Sequence, residues 1–246
     1  MTSARIALSF LTRLPGGRHP DGPGELSGAL SWFPAVGALV GLISGIVYFG
    51  LTNVVSNEIA AVGAIAVGAV VTGGFHEDGL ADSADSFGGY DRERRLQIMV
   101  DSRIGTFGTL ALVLATAAKI FALAETEQLN GVLALVIAHS LARAGSLFPM
   151  VSGPVARTEG LAGSAGDVPT RAVMVAVGFL LAAGVVGPAT AASAVGVVAT
   201  AAIGLTVARR HLGGVTGDVL GAVEQLGEIV TLVVLSQAIE AWGWRW

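Results

Sequence analysis

The sequence predicts an all-α protein, a polytopic membrane helix bundle of about seven transmembrane helices (six to eight) behind a short N-terminal interfacial helix. Three observations carry that expectation. Of 246 residues, 53% are hydrophobic and 13% charged, against about 25% charged in soluble domains. Mean hydropathy is +0.72. Uncharged stretches are also long enough to cross a bilayer: no charge falls between Glu25 and Glu58, or between Arg171 and Arg209.

The N-terminal MTSARIALSFLTRLP has an apolar run of only about six residues and no small-residue cleavage pattern, so it reads as an interfacial helix, not a signal peptide. A span needs about 20 apolar residues, and the chain offers them at roughly 29–52, 58–75, 104–124, 131–149, 171–188, 189–208 and 217–239. The stretch after Arg171 is nearly twice one span, so it is expected to fold as a hairpin at Val186-Gly187-Pro188. Gly37, Gly41 and Gly45 recur every four residues and put a smooth stripe on one helix face for close packing.

Orientation follows from the basic residues, which favour cytoplasmic loops. Arg5, Arg13 and Arg18 precede span one; Arg92, Arg94, Arg95 and Arg103 lie between spans two and three; Arg157 and Arg171 between four and five; Arg209 and Arg210 between six and seven. The alternate loops at 53–57, 125–130 and 187–189 hold none, with Arg245 at the outer end. The N-terminus is therefore expected inside and the C-terminus outside. Residues 1–246 read as a single integral membrane domain, with one long polar insertion at 76–105 on the cytoplasmic side. A net charge of −4 with dispersed basic residues argues against nucleic acid. The absence of Cys excludes disulfides and thiolate chemistry.

The polar insertion concentrates the chain's acidity in His76, Glu77, Asp78, Asp82, Asp85 and Asp101. Asp78, Asp82 and Asp85 are spaced i, i+4, i+7, so a helix lines them along one face. Gly88-Gly89 ends that helix and Asp91 can cap the next. A solvated acidic face is the bland alternative, since like-charged neighbours repel by only about 0.2–0.5 kcal/mol. Against it, residues 76–90 contain no Lys or Arg. A hard divalent cation such as Mg²⁺, held by carboxylates and substrate phosphates, is the expected neutraliser. Zinc fits less well, because His76 has no partner His or Cys at ligand spacing.

A second polar cluster spans residues 209–228. Gly213, Gly214 and Gly217 allow a close backbone approach to phosphate, and Thr216 or Asp218 can cap the last span. Glu224 and Glu228 share one helix face inside an apolar helix, where ionisable groups require a partner or a water-filled cavity. Two readings stay open for them: ion pairs with Lys119 or Arg143 for stability alone, or a role in orienting a substrate.

The motifs then reach a resemblance. HEDGLADSAD resembles the H-x-D-G-L-A-D-x-x-D signature of the cobalamin synthase family, the adenosylcobinamide-GDP ribazoletransferases. DSRIGTFG (101–108), GGVTGDVLGAVEQLGE (213–228) and LSFLTRLP (8–15) resemble three further motifs of that family in the same order. Ser86 follows Asp85 where the family commonly has Gly. The resemblance implies a multi-pass inner-membrane enzyme, active site cytoplasmic, with Mg²⁺ as cofactor. It implies adenosylcobinamide-GDP and α-ribazole or its 5′-phosphate as substrates and GMP as a product, and it leaves a homo-oligomer open. In these terms Asp78, Asp82, Asp85 and Asp101 are the expected metal ligands. Asp78 is then catalytic, and either Asp101 or His76 takes the proton. Arg103, Lys119 and Arg143 are the expected phosphate clamps, while Asp218, Glu224 and Glu228 position the ribazole or the corrin side chain. Two alternatives are a CDP-alcohol-type phosphotransferase with another acceptor and a cation-coupled transporter. The latter calls for discontinuous helices in matching halves and charges near mid-membrane.

Overall fold

The computed structural model describes residues 2–16, 23–157 and 168–242, and every regular element within them is helical. Arg18 and Arg245 lie outside the described residues. In chain order the α-helices are α1 (Ser3–Leu11), α2 (Pro23–Ala29), α3 (Phe33–Leu51), α4 (Asn57–Thr72), α5 (Phe75–Asp85), α6 (Arg92–Ile98), α7 (Thr106–Ala124), α8 (Gln128–Ser152), α9 (Thr170–Val186), α10 (Pro188–Leu212) and α11 (Gly217–Trp242). A 3₁₀ turn, Leu30–Trp32, joins α2 to α3.

Among the described residues five segments are long and apolar enough to cross a membrane: Glu25–Leu51, Thr106–Ala124, Gln128–Ser152, Pro188–Leu212 and Gly217–Ala238. The apolar helices α4 and α9 are shorter, with 16 and 17 residues. At 1.5 Å per residue they reach about 24 and 26 Å, close to the ~30 Å of a hydrocarbon core. Seven apolar helices thus stand where about seven spans were expected. The hairpin turns at Gly187, with Pro188 in the first turn of α10 and Thr190 Oγ1 donating to the Gly187 carbonyl at 2.8 Å. α1 is too short to cross. It buries Ile6, Ala7 and Leu11 against Leu26, Leu30, Phe33, Leu147 and Ala176.

Small residues set the packing, as lipid-facing bundles require. Gly37, Gly41 and Gly45 press α3 against the backbone of α8 at His139, Leu135 and Val132, leaving no room for a side chain. At one end of the bundle Asn53 Oδ1 accepts from Gln128 at 3.0 Å, and Asn57 donates to the Ala124 carbonyl at 3.1 Å. The opposite end carries the arginines. There Arg92 Nε donates to the Leu212 carbonyl at 2.8 Å and Arg95 to that of His211 at 3.2 Å. Arg209 reaches the Ser152 carbonyl. These cations satisfy carbonyls left over at the ends of α10 and α8 and oppose the helix dipoles. The loop charges that predicted orientation therefore also close the helix ends.

Candidate active site

At the arginine-bearing end α4 stops at Gly73, and the chain turns by 91° into α5. Gly73 and Gly74 take φ of 71° and 70°, a left-handed conformation that residues with a Cβ rarely adopt. Arg13 braces the turn: its N–H donates to the Val71 carbonyl at 2.7 Å, and its guanidinium covers Gly73. The bend lays α5 against α7 and α11. Contact with α11 is made through two glycines: a Cβ on Gly79 would lie 2.8 Å from the Asp218 carbonyl oxygen, and one on Gly221 would lie 3.3 Å from His76 Cα. The absence of side chains there brings the acidic helix beside Asp218.

A cleft of about 500 Å³ opens on this surface, lined among others by Glu77, Asp78, Asp82, Asp101 and Arg103. Three of the four expected metal ligands thus share one space. Burial first, then the charges of Asp78, Asp218 and Asp85, pushes the Asp82 carboxyl up to about 7. Asp101 behaves oppositely. Arg103 donates to it from its guanidinium, at 2.6 Å to Oδ2, and from its backbone, at 3.1 Å, which holds the carboxyl down at about 2. Arg103 is therefore at the cleft as expected, engaged with Asp101.

The structure gives Asp85 a different task from the one its spacing suggested. It is buried, and its two carboxylate oxygens accept the N–H groups of Gly105 and Gly108 at 2.7 and 2.8 Å. These are orphan donors of the first turn of α7, where a negative charge also suits the dipole. Gly105 has no side chain to cap the helix itself, so Asp85 supplies the cap from α5.

Lys119, Arg143, Glu224 and Glu228 are likewise gathered in one place, but inside the bundle. Glu228 pairs with Lys119 at 2.7 Å, with Arg143 at 3.2 Å and with His139. Arg143 pairs with Glu224 at 2.6 Å. Gln225 ties this network to α5: its Oε1 accepts from Lys119 at 2.5 Å, and its Nε2 donates to Glu77 at 3.2 Å. The ion pairs that one of the two readings called for are present, and both cations are engaged by glutamates. The ligand atoms of His139, Glu224 and Glu228 lie within 4.8 Å of one another, yet two protein cations already neutralise those carboxylates. His76 belongs to this interior as well: it is 5% exposed, with Nδ1 3.8 Å from Glu224. The expected proton acceptors are thus separated, Asp101 at the cleft and His76 beneath it.

Asp218 is half-buried and pairs with Arg157 at 2.9 Å. The sequence used Arg157 only for orientation, since nothing local to it signals a site. Its place follows from a parallel bridge between Val155 and Val215, in which Ala156 donates to the Val215 carbonyl at 2.9 Å and Val215 to that of Pro154 at 2.7 Å. Gly214 is pressed against this strand-like segment. One glycine expected to admit a phosphate instead admits the chain's own backbone.

Comparison with known proteins bears on what this cleft does. A family model described as cobalamin-5-phosphate synthase matches residues 3–236. A Bradyrhizobium diazoefficiens protein named adenosylcobinamide-GDP ribazoletransferase is 46% identical over 243 residues, covering 94% of this chain and 91% of its own. Proteins of the same name from Sinorhizobium sp and Shewanella amazonensis are 39% and 37% identical, each covering at least 93% of both chains. No solved structure matches.

Proposed function

The chain belongs to the cobalamin-5-phosphate synthase family, and on that premise we propose that it transfers the adenosylcobinamide phosphoryl group from adenosylcobinamide-GDP to α-ribazole or its 5′-phosphate. The family's step is assembly of the cobamide nucleotide loop, and the enzyme is a transferase. Products are GMP and adenosylcobalamin or its 5′-phosphate. The observation that carries the reading is the shared cleft of Asp78, Asp82 and Asp101, with Arg103 on its rim.

The donor set suits Mg²⁺. It consists of carboxylate oxygens; burial first, and then the charges of Asp78, Asp218 and Asp85, hold Asp82 up at about 7, and a hard divalent cation relieves the repulsion among them. Asp78 and Asp82 would hold the ion, with Asp101 beside them. When bound, the ion offsets negative charge building on the departing phosphate. Asp85, committed to α7, supports the site from behind.

A ribose hydroxyl of the acceptor attacks the phosphorus bonded to cobinamide, and the bond from that phosphorus to the bridging oxygen breaks as GMP leaves. Asp101 accepts the hydroxyl proton. In phosphoryl transfer of this kind a carboxylate so placed serves mainly to orient the nucleophile. Arg103, which lines the same cleft, would pair with a phosphate oxygen of the substrate bound there. The arginine-bearing end is assigned to the cytoplasm by the positive-inside rule, with the bundle in the inner membrane.

The break between α4 and α5 and the charges inside the bundle are features that the transporter alternative called for. Here the break sits at the bundle's end, and Lys119 and Arg143 neutralise Glu224 and Glu228 among themselves. The test is reconstitution in lipid with adenosylcobinamide-GDP and α-ribazole 5′-phosphate. GMP and a corrinoid product are expected with Mg²⁺ and neither with EDTA. Absence of both products under every metal condition overturns the reading.

A further inference from the structure

The cleft adjoins a second space. Glu77 and Leu112 border both it and a groove of about 190 Å³ between α4 and α7. Ala66 and Ala69 of α4 and Ala115 and Thr116 of α7 wall the groove; Glu77, Lys119 and Gln225 form its inner end. Lys119 and Gln225 are satisfied within the network already described. Glu77 is not. One of its oxygens accepts from Gln225, while Oε2 is buried without a hydrogen-bond partner. A buried carboxylate oxygen left unpaired is unfavourable by about 1–3 kcal/mol or more, so this atom calls for a donor.

We infer that the groove receives the apolar heterocyclic base of the acceptor nucleoside, with Glu77 Oε2 accepting one of its ribose hydroxyls. The inference rests on the proposed reaction and adds to it a binding site for one of the two substrates. The acceptor is a ribose that must present one hydroxyl at the aspartates while its flat fused ring is buried elsewhere. Glu77 stands at the junction of the polar cleft and the apolar groove, so a second hydroxyl falls to it as the ring enters between α4 and α7. The other candidate fragments fit poorly. Guanine would leave its many polar edges unpaired against alanines, and a corrin ring is far too large for the space. Apolar walls with a few placed polar groups are the usual makeup of a small-molecule site.

Two measurements on the full chain in lipid nanodiscs test this. In the first, Ala66→Phe and Thr116→Phe fill the groove from exposed positions, and Glu77→Gln removes the charge. Each is expected to raise the KM for α-ribazole 5′-phosphate about tenfold or more and to leave the KM for adenosylcobinamide-GDP within about twofold. Equal effects on both substrates, or none, overturn the inference. In the second, wild-type protein is photolabelled with a riboside carrying an azide on its base. Adducts are expected on residues 62–69 and 112–120, competed by unlabelled α-ribazole. Adducts elsewhere, or competition only by added phospholipid, overturn it. The two readings fail separately: competed labelling of α4 and α7 without GMP release removes the reaction and keeps the base site, whereas GMP release with labelling elsewhere does the reverse.

Discussion

Asp85 caps a helix that is not its own: its Oδ1 accepts the Gly108 N–H at 2.8 Å while Oδ2 takes that of Gly105 at 2.7 Å. Asp78 and Asp82 face the cleft from the same helix. One short acidic segment therefore divides its labour, and substitutions should divide with it.

Asp85→Ala removes a cap from α7 and should destabilise the protein by about 0.5–2 kcal/mol. The expected result is a lower melting temperature in detergent, with or without Mg²⁺. An unchanged melting temperature together with lost Mg²⁺ response would return Asp85 to the metal site.

Asp78→Ala and Asp82→Ala should behave in the opposite sense. Neither side chain accepts a helix-end N–H as Asp85 does, so folding is retained while turnover falls by about 10²- to 10³-fold or more. The rise in melting temperature on adding Mg²⁺ should also disappear. Near-normal GMP release by Asp78→Ala would remove it from the site.

The Asp82 carboxyl fixes the sign of a pH effect. Its folded value, about 7, is raised above the ordinary ~3.9 of an unfolded chain. Its contribution to stability is thus fully present below ~3.9 and is lost as pH rises through 7. Metal-free protein should melt lower at pH 8 than at pH 6, and Mg²⁺ should raise the melting temperature more at pH 8. Asp82→Asn should flatten both trends. A Mg²⁺ effect that is equal at the two pH values in wild-type protein would contradict the assignment.

Arg143 and Glu224 test the interior. Removing one partner of a buried ion pair typically destabilises by about 3–5 kcal/mol, whereas replacing the pair together is far milder. Arg143→Ala and Glu224→Ala should each lower the melting temperature sharply, and the double variant should lose less than their sum. Additive losses would mean that the 2.6 Å pair contributes no coupling.

These contrasts show what the sequence made legible. Hydropathy and loop charge revealed the helices, because crossing a bilayer demands an apolar run whatever the tertiary packing. The i, i+4, i+7 aspartates were visible for the same reason, since helix geometry is local. The pairing of Glu224 and Glu228 with Lys119 and Arg143 was one of the two readings the sequence left open, because charges inside an apolar helix require partners; the other partners were hidden. Asp85 meets α7 because Gly105 lacks a capping side chain, and Arg157 meets Asp218 through the Val155–Val215 bridge. Those pairings depend on which helices become neighbours, and no spacing in the chain encodes that. Glu77 was visible as an acid, but its unpaired oxygen was not.

The backbone crossing of α5 and α11 supplies the last prediction. A Cβ on Gly79 would meet the Asp218 backbone at 2.8 and 3.0 Å, whereas one on Gly221 would meet His76 and Gly79 at 3.3 to 3.4 Å. Backbone atoms inside a packed crossing cannot rotate away, so Gly79→Ala must push α5 off α11. Overpacking of this kind is unfavourable by about 1–3 kcal/mol, and it also shifts Asp78, the neighbour of Gly79, relative to Asp218. Gly221→Ala asks for a few tenths of an ångström and should be tolerated better. The expected order is therefore wild type, then Gly221→Ala, then Gly79→Ala, in both apparent Mg²⁺ affinity and turnover, with Gly79→Ala losing more activity than its stability loss explains. Equal behaviour of the two alanine variants would mean that the α5–α11 crossing does not set the geometry of the cleft.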